Sequence, residues 1–121
     1  MRSKTILLVD DSPTEVKVIQ NALQGKGYHL TTAADGEEAL AKAIQLKPDL
    51  VLLDVVLPKK NGFQVCRQLK TSPETKDTKV IMVTSKSQDS DRFWGLKQGA
   101  DEFLGKPVDT EELLALIARH L

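Results

Sequence analysis

Apolar residues along this chain fall into two kinds of run. Short, nearly continuous runs occur at Thr5-Ile-Leu-Leu-Val9, Leu50-Val-Leu-Leu53 and Lys79-Val-Ile-Met-Val-Thr84. Their lack of alternation predicts strands covered on both faces. Tyr28 to Ala34 reads as a weaker strand and Glu102 to Gly105 as a short one. Between them, apolar positions recur at helical spacing: Val16, Ile19 and Leu23, then Ala39, Leu40, Ala43 and Ile44, then Val65, Cys66 and Leu69, and last Leu113, Leu116 and Ile117. A further helix is predicted before Gly99.

Start and stop signals punctuate the same segments. Ser12 precedes Pro13, with Glu15 at the capping-box position, and Gly25 and Gly27 stop that helix. Asp35-Gly36 opens the next and Lys47-Pro48 closes it. Asn61-Gly62 is a turn signal, and Thr71-Ser72-Pro73 ends the helix beyond it. Ser87 or Asp89 is expected to cap the fourth helix. Asp109, with Glu112 three residues on, caps the fifth. Five strands alternating with five helices through short connections predict a doubly wound α/β fold with a parallel sheet. No linker or internal repeat divides the chain, so residues 1–121 are expected to form a single domain.

Composition narrows the function. Seventeen basic and seventeen acidic residues leave a formal charge of zero, which offers no bulk field for nucleic acid or an anionic membrane. The single cysteine, Cys66, excludes an internal disulfide and a multi-cysteine zinc site. No apolar run is long enough for a signal-peptide core or a membrane span. A soluble, cytoplasmic protein is expected.

Ligands of a doubly wound sheet sit beyond the carboxyl ends of its strands, where strand order reverses. Those ends carry Asp10-Asp11, Asp54, Thr84-Ser85 and Lys106-Pro107. Three converging carboxylates repel one another unless a cation intervenes. Mg²⁺ takes carboxylate and phosphate oxygens, Lys106 can pair with a phosphoryl group, and Thr84 can donate to one. The set points to metal-assisted phosphoryl transfer with Asp54 as acceptor.

Together these residues, with Asp54-Val-Val-Leu-Pro58 and Asn61-Gly62, resemble the response-regulator receiver domain, the CheY-like family. The resemblance covers essentially the whole chain and implies a flavodoxin-like sheet of order 2-1-3-4-5. It implies that a histidine kinase, CheA-like or other, donates the phosphoryl group to Asp54. Asp11 and Asp54 would bind Mg²⁺ directly, Asp10 through water, and Val56 through its backbone carbonyl. Thr84 would contact the phosphoryl group and act with Phe103 as the switch, Lys106 would pair with the same group, and the Lys106-Pro107 bond would be cis. The output surface would be the fourth helix, fifth strand and fifth helix, meeting an unidentified protein. With no output domain expected, the resemblance implies a stand-alone regulator, monomeric or weakly dimeric. The opening Asp10-Asp-Ser-Pro-Thr-Glu15 and the segment Asp91-Arg-Phe-Trp-Gly-Leu-Lys-Gln-Gly-Ala100 are similar to the small receivers of twitching-motility and phototaxis systems, the PilH-type group.

Some readings stay open. The role could be signalling, a phosphate sink for a shared kinase, or phosphorylation-independent protein binding. Phe103, where the family commonly has Tyr, is a switch or simply core. Trp94 is a partner anchor or half-buried packing. Val56, lacking a polar group to orient water, implies slow loss of the phosphoryl group. Cys66 is expected in the core, and His29 and His120 lack companion metal ligands. An aspartyl-phosphate phosphohydrolase would need an acid at position 56. A flavin carrier would need a neutral, Gly-rich loop where Asp10 and Asp11 stand. Turnover is therefore not expected beyond uptake and loss of the chain's own phosphoryl group.

Overall fold

A computed structural model describes residues 3–121. Its strands are β1 (Thr5–Val9), β2 (His29–Ala33), β3 (Leu50–Leu53), β4 (Lys79–Thr84) and β5 (Glu102–Gly105). The helices between and after them are α1 (Pro13–Leu23), α2 (Gly36–Leu46), α3 (Gly62–Thr71), α4 (Asp89–Lys97) and α5 (Thr110–His120). The strands form one parallel sheet of order β2-β1-β3-β4-β5.

The continuous apolar runs are explained by two cores, one on each face. Alternate strand residues Leu7, Val9, Val51, Leu53, Val80 and Met82 pack with Ala39, Ala43, Val65, Cys66 and Leu69 of α2 and α3. Their neighbours Ile6, Leu8, Leu50, Leu52, Ile81 and Val83 pack with Ile19, Leu23, Leu113 and Ile117 of α1 and α5. All twelve of these strand residues are buried. Removing any of their larger side chains to Ala would cost roughly 2–5 kcal/mol.

The caps differ from expectation in two places. Ser12 Oγ accepts from the Glu15 N–H at 3.3 Å, as expected of a cap. The Ser12 N–H, however, donates to Asp10 Oδ1 at 2.9 Å rather than to Glu15. The cap of α4 is Gln88, not Ser87 or Asp89, and its N–H donates to Asp91 Oδ2 at 3.1 Å. Asn61 is more than a turn residue. It caps α3 in a reciprocal box with Gln64.

Helix α4 has an unusual orientation. It turns Asp91 and Gly95 inward and leaves Phe93, Trp94 and Leu96 exposed. Gly95 lets the helix pack closely on the sheet. A Cβ there would come 2.8 Å from Met82 Sδ and 3.0 Å from Phe103 Cδ2. Among the described residues, no helix is long and apolar enough to cross a membrane.

Candidate functional site at the carboxyl end of the sheet

Strand order reverses at β1: β2 lies on one side of it and β3 on the other, all running parallel. A crevice opens beyond the ends of β1 and β3. Asp10 and Asp11 follow β1, and Asp54 follows β3. Backbone bonds fix both departures, with the Asp54 N–H on the Val9 carbonyl at 3.0 Å and the Asp10 N–H on the Ala33 carbonyl at 3.1 Å. Asp10, Asp11 and Asp54 each offer a carboxylate oxygen, and these oxygens lie within 4.8 Å of one another. Asp11 is exposed, whereas Asp10 and Asp54 are buried.

Lys106 balances part of this charge. Its Nζ lies 2.7 Å from Asp10 Oδ2 and 3.1 Å from Asp54 Oδ2. Both pairs are largely withdrawn from water, with side-chain exposures of 10% for Lys106, 2% for Asp10 and 8% for Asp54. Burial pulls the Lys106 ammonium towards neutrality. The Asp10 hydrogen bond and the charges of Asp54 and Asp10 outweigh that, holding its pKa above the usual lysine value. The second oxygens of the buried acids are also satisfied, Asp10 Oδ1 by the Ser12 N–H and Asp54 Oδ1 by the Val56 N–H at 3.2 Å. Two of the three carboxylates thus share the Lys106 ammonium, with Asp11 beside them. That surplus of hard oxygen donors suits a small divalent cation.

The bond from Lys106 to Pro107 is cis, and the Lys106 N–H donates to the Thr84 carbonyl at 2.9 Å. The end of β4 therefore holds the lysine in place by its backbone. The Thr84 hydroxyl is fully buried and accepts from the Lys86 N–H at 3.2 Å. It does not line the cleft. Ser85 does, together with Asp10, Asp11, Ser12, Glu15, Asp54, Val56, Lys106 and Pro107, around a space of about 470 Å³. Val56 is 56% exposed at the mouth of this cleft.

These positions sit within a known family. The response regulator receiver domain matches residues 6–118. This chain is a response regulator receiver domain. The receiver is 48% identical over 112 residues to the protein PilH of Pseudomonas aeruginosa, covering 93% of each chain. It is 42% identical to the DNA-binding dual master transcriptional regulator RpaA of Synechocystis, of which it spans 46%. Among solved structures, a response regulator from Chloroflexus aurantiacus superposes with a TM-score of 0.93 at 33% identity, covering 98% of each chain. The chemotaxis response regulator CheY4 of Vibrio cholerae gives 0.90 at 34%, covering 99% of this chain and 100% of that one.

Other sequence-level candidates fall elsewhere in the receiver. Phe103 is buried beneath α4, with the Arg92 guanidinium 5.7 Å from its ring centroid. Trp94 is 52% exposed. Cys66 is fully buried, and burial pushes its thiol pKa up to about 12, so it is a core residue. His120 has a partner that sequence spacing did not reveal: its Nε2 lies 2.9 Å from Glu102 Oε2. Glu15 at the cleft was missed because its spacing from Ser12 read as a capping box. Its nearness to Asp11, one helical turn away, was the available signal.

Proposed function

We propose that this receiver is a phosphorylation switch in which Asp54 accepts a phosphoryl group from a histidine kinase. The observation that carries this is Lys106 bridging Asp10 and Asp54, with the Asp11 carboxylate beside them, at the mouth of an open cleft. In the transfer, an Asp54 oxygen forms a bond to phosphorus as the bond from phosphorus to the kinase imidazole breaks. The imidazole keeps the electron pair. Lys106 follows the charge, since its ammonium already lies beside Asp54 and can pair with a phosphoryl oxygen. Asp11 and Asp54 would hold Mg²⁺ directly, Asp10 through water and Val56 through its carbonyl. The cation supplies charge neutralisation at the transferring group.

Switching follows from Thr84. Its buried hydroxyl, which accepts from the Lys86 N–H, must turn out to the cleft to donate to a phosphoryl oxygen, and that movement loosens the segment leading into α4. Phe103 lies beneath Gly95 of that helix, so the face of α4, β5 and α5 is re-weighted towards a partner-binding state. Phe103 lacks the hydroxyl of a tyrosine, so the response runs through ring packing. The likeness to PilH supports a place in motility or taxis signalling. Val56 offers no group to orient an attacking water, so the phosphoryl group should be lost slowly, and a half-life of a few seconds would contradict this. The test is labelling by a phosphohistidine donor. Wild type should take up label with Mg²⁺ and Asp54→Asn should not. Label retained by Asp54→Asn would move the acceptor elsewhere.

A further inference from the structure

The segment from Asp54 to Asn61 carries the acceptor and Val56, and it has no regular secondary structure of its own. It is held at both its base and its tip. At the base, the Gly62 N–H donates to the Val55 carbonyl at 2.8 Å. At the tip, the Pro58 carbonyl accepts twice. One donor is the Lys60 N–H at 2.8 Å, closing a three-residue turn over Lys59, whose φ is 69°. That is the rarer, strained form of such a turn. The second donor is the Gly36 N–H at 3.2 Å, from the first residue of α2. Asp35, the cap of α2, adds an ion pair to Lys59 Nζ at 3.8 Å.

The contact at Gly36 leaves no room for a side chain. A Cβ there would overlap the Lys60 carbonyl oxygen and lie 2.6 Å from Lys60 Cβ and 2.8 Å from the Lys60 carbonyl carbon. Two of these three atoms are main chain, so no side-chain rotation relieves the clash and the loop itself must move. The start of α2 is itself fixed, because Asp35 Oδ1 accepts from the Glu38 N–H at 2.8 Å and Glu38 Oε1 accepts from the Ala34 N–H at 2.7 Å. A rigid helix start thus abuts a strained turn, and the turn leads back through Leu57 to Val56 and, two residues further, to Asp54.

We propose that Gly36 is a positioning residue for the acidic site: its bare Cα and its N–H seat the Pro58–Lys60 turn, and the turn sets where the Val56 carbonyl and the Asp54 carboxylate stand. This rests on the reading of that site as a Mg²⁺-dependent phosphoacceptor. Residues that orient ligands without touching the metal commonly change affinity 10- to 100-fold.

The test is calorimetric titration of Mg²⁺ into wild type, Gly36→Ala and Ala43→Gly. Ala43 lies on the same helix, fully buried in the core and outside the cleft, so its variant controls for a weakened α2. Gly36→Ala should bind Mg²⁺ about 10- to 100-fold more weakly. Ala43→Gly should melt lower and keep the wild-type affinity. Equal affinity in Gly36→Ala and wild type would overturn the proposal, as would an equal loss in both variants. Amide resonances of the wild type keep the question open to measurement if Gly36→Ala does not fold. The Gly36 and Lys60 signals should move with the same Mg²⁺ midpoint as Val56, and a Gly36 signal that stays fixed while Val56 moves would refute the coupling. A wild type that binds no Mg²⁺ would overturn the phosphoacceptor reading first, and this proposal with it.

Discussion

The two ends of the sheet both carry acids beside a lysine, but they use them differently. At the amino end, Asp101 Oδ2 accepts from Lys70 Nζ at 2.9 Å and from the Val80 N–H at 2.8 Å, while Lys70 Nζ also donates to the Thr78 carbonyl at 2.8 Å. Asp49 Oδ2 accepts from the Thr5 N–H at 2.8 Å. Asp101 thus ties α3 and β4 to the start of β5, and Asp49 ties β1 to the start of β3. At the carboxyl end, Asp10 and Asp54 share Lys106, and the exposed Asp11 carboxylate stands beside them. One end is balanced and stitches the fold. The other holds surplus negative charge, a cost that makes sense where a cation and a phosphoryl group are to be received.

The comparison should break most visibly with Mg²⁺. A cation bound only by the native state stabilises by about 2.7 kcal/mol at 100 times its dissociation constant. Melting in millimolar Mg²⁺ should therefore rise for wild type, and most of the rise should vanish in Asp11→Asn and Asp54→Asn. It should survive intact in Asp101→Asn, which alters the balanced end alone. A rise that persists without Asp11 and Asp54 would place the cation elsewhere.

Asp101→Asn itself should cost roughly 1.5–3 kcal/mol, as hydrogen bonds to a charged group do, and urea unfolding would measure it. The pH dependence has a definite sign. Burial pushes the Asp101 carboxyl up, but the Lys70 and Val80 hydrogen bonds and the lysine charges pull it below its ordinary 3.8. Its unfolded state therefore binds a proton more readily than its native state. The stabilisation is present above pH 3.8 and is lost as pH falls through the lower native value. Wild type should thus lose stability more steeply in that acid window than Asp101→Asn. Parallel curves would remove Asp101 from the account.

The smallest effect belongs to Arg119→Ala. Arg119 pairs with Glu102 at the start of β5 at 3.2 Å, yet its side chain is 68% exposed. Such a pair contributes less than about 1 kcal/mol. A larger loss would mean that exposure does not separate the useful ion pairs at the amino end from the idle ones.

Much of this was legible from residue order because burial leaves a pattern. The runs at Ile6–Val9 and Leu50–Leu53 lack polar alternation since each faces a helix layer on both sides. The acids at the strand ends were legible for a related reason, as a parallel sheet brings all strand ends to one place. What was not legible depends on torsions and on contacts distant in sequence. The Thr84 hydroxyl turns into the protein towards Lys86, a side-chain rotation that no spacing encodes. The cap of α4 is hard to read because its inward stripe is Asp91 and Gly95 rather than an apolar one. Gly36 looked like a helix opener alone, and its contact with Lys60 comes from a loop more than twenty residues away.

The central claim is that Asp54 is the residue that takes up phosphorus. Wild-type protein incubated with Mg²⁺ and a phosphohistidine kinase or a small acyl phosphate can be fragmented and mapped by tandem mass spectrometry. The account predicts one phosphoryl group, on Asp54, that does not form when Mg²⁺ is chelated. A phosphoryl group on any other residue, or uptake indifferent to Mg²⁺, would contradict it.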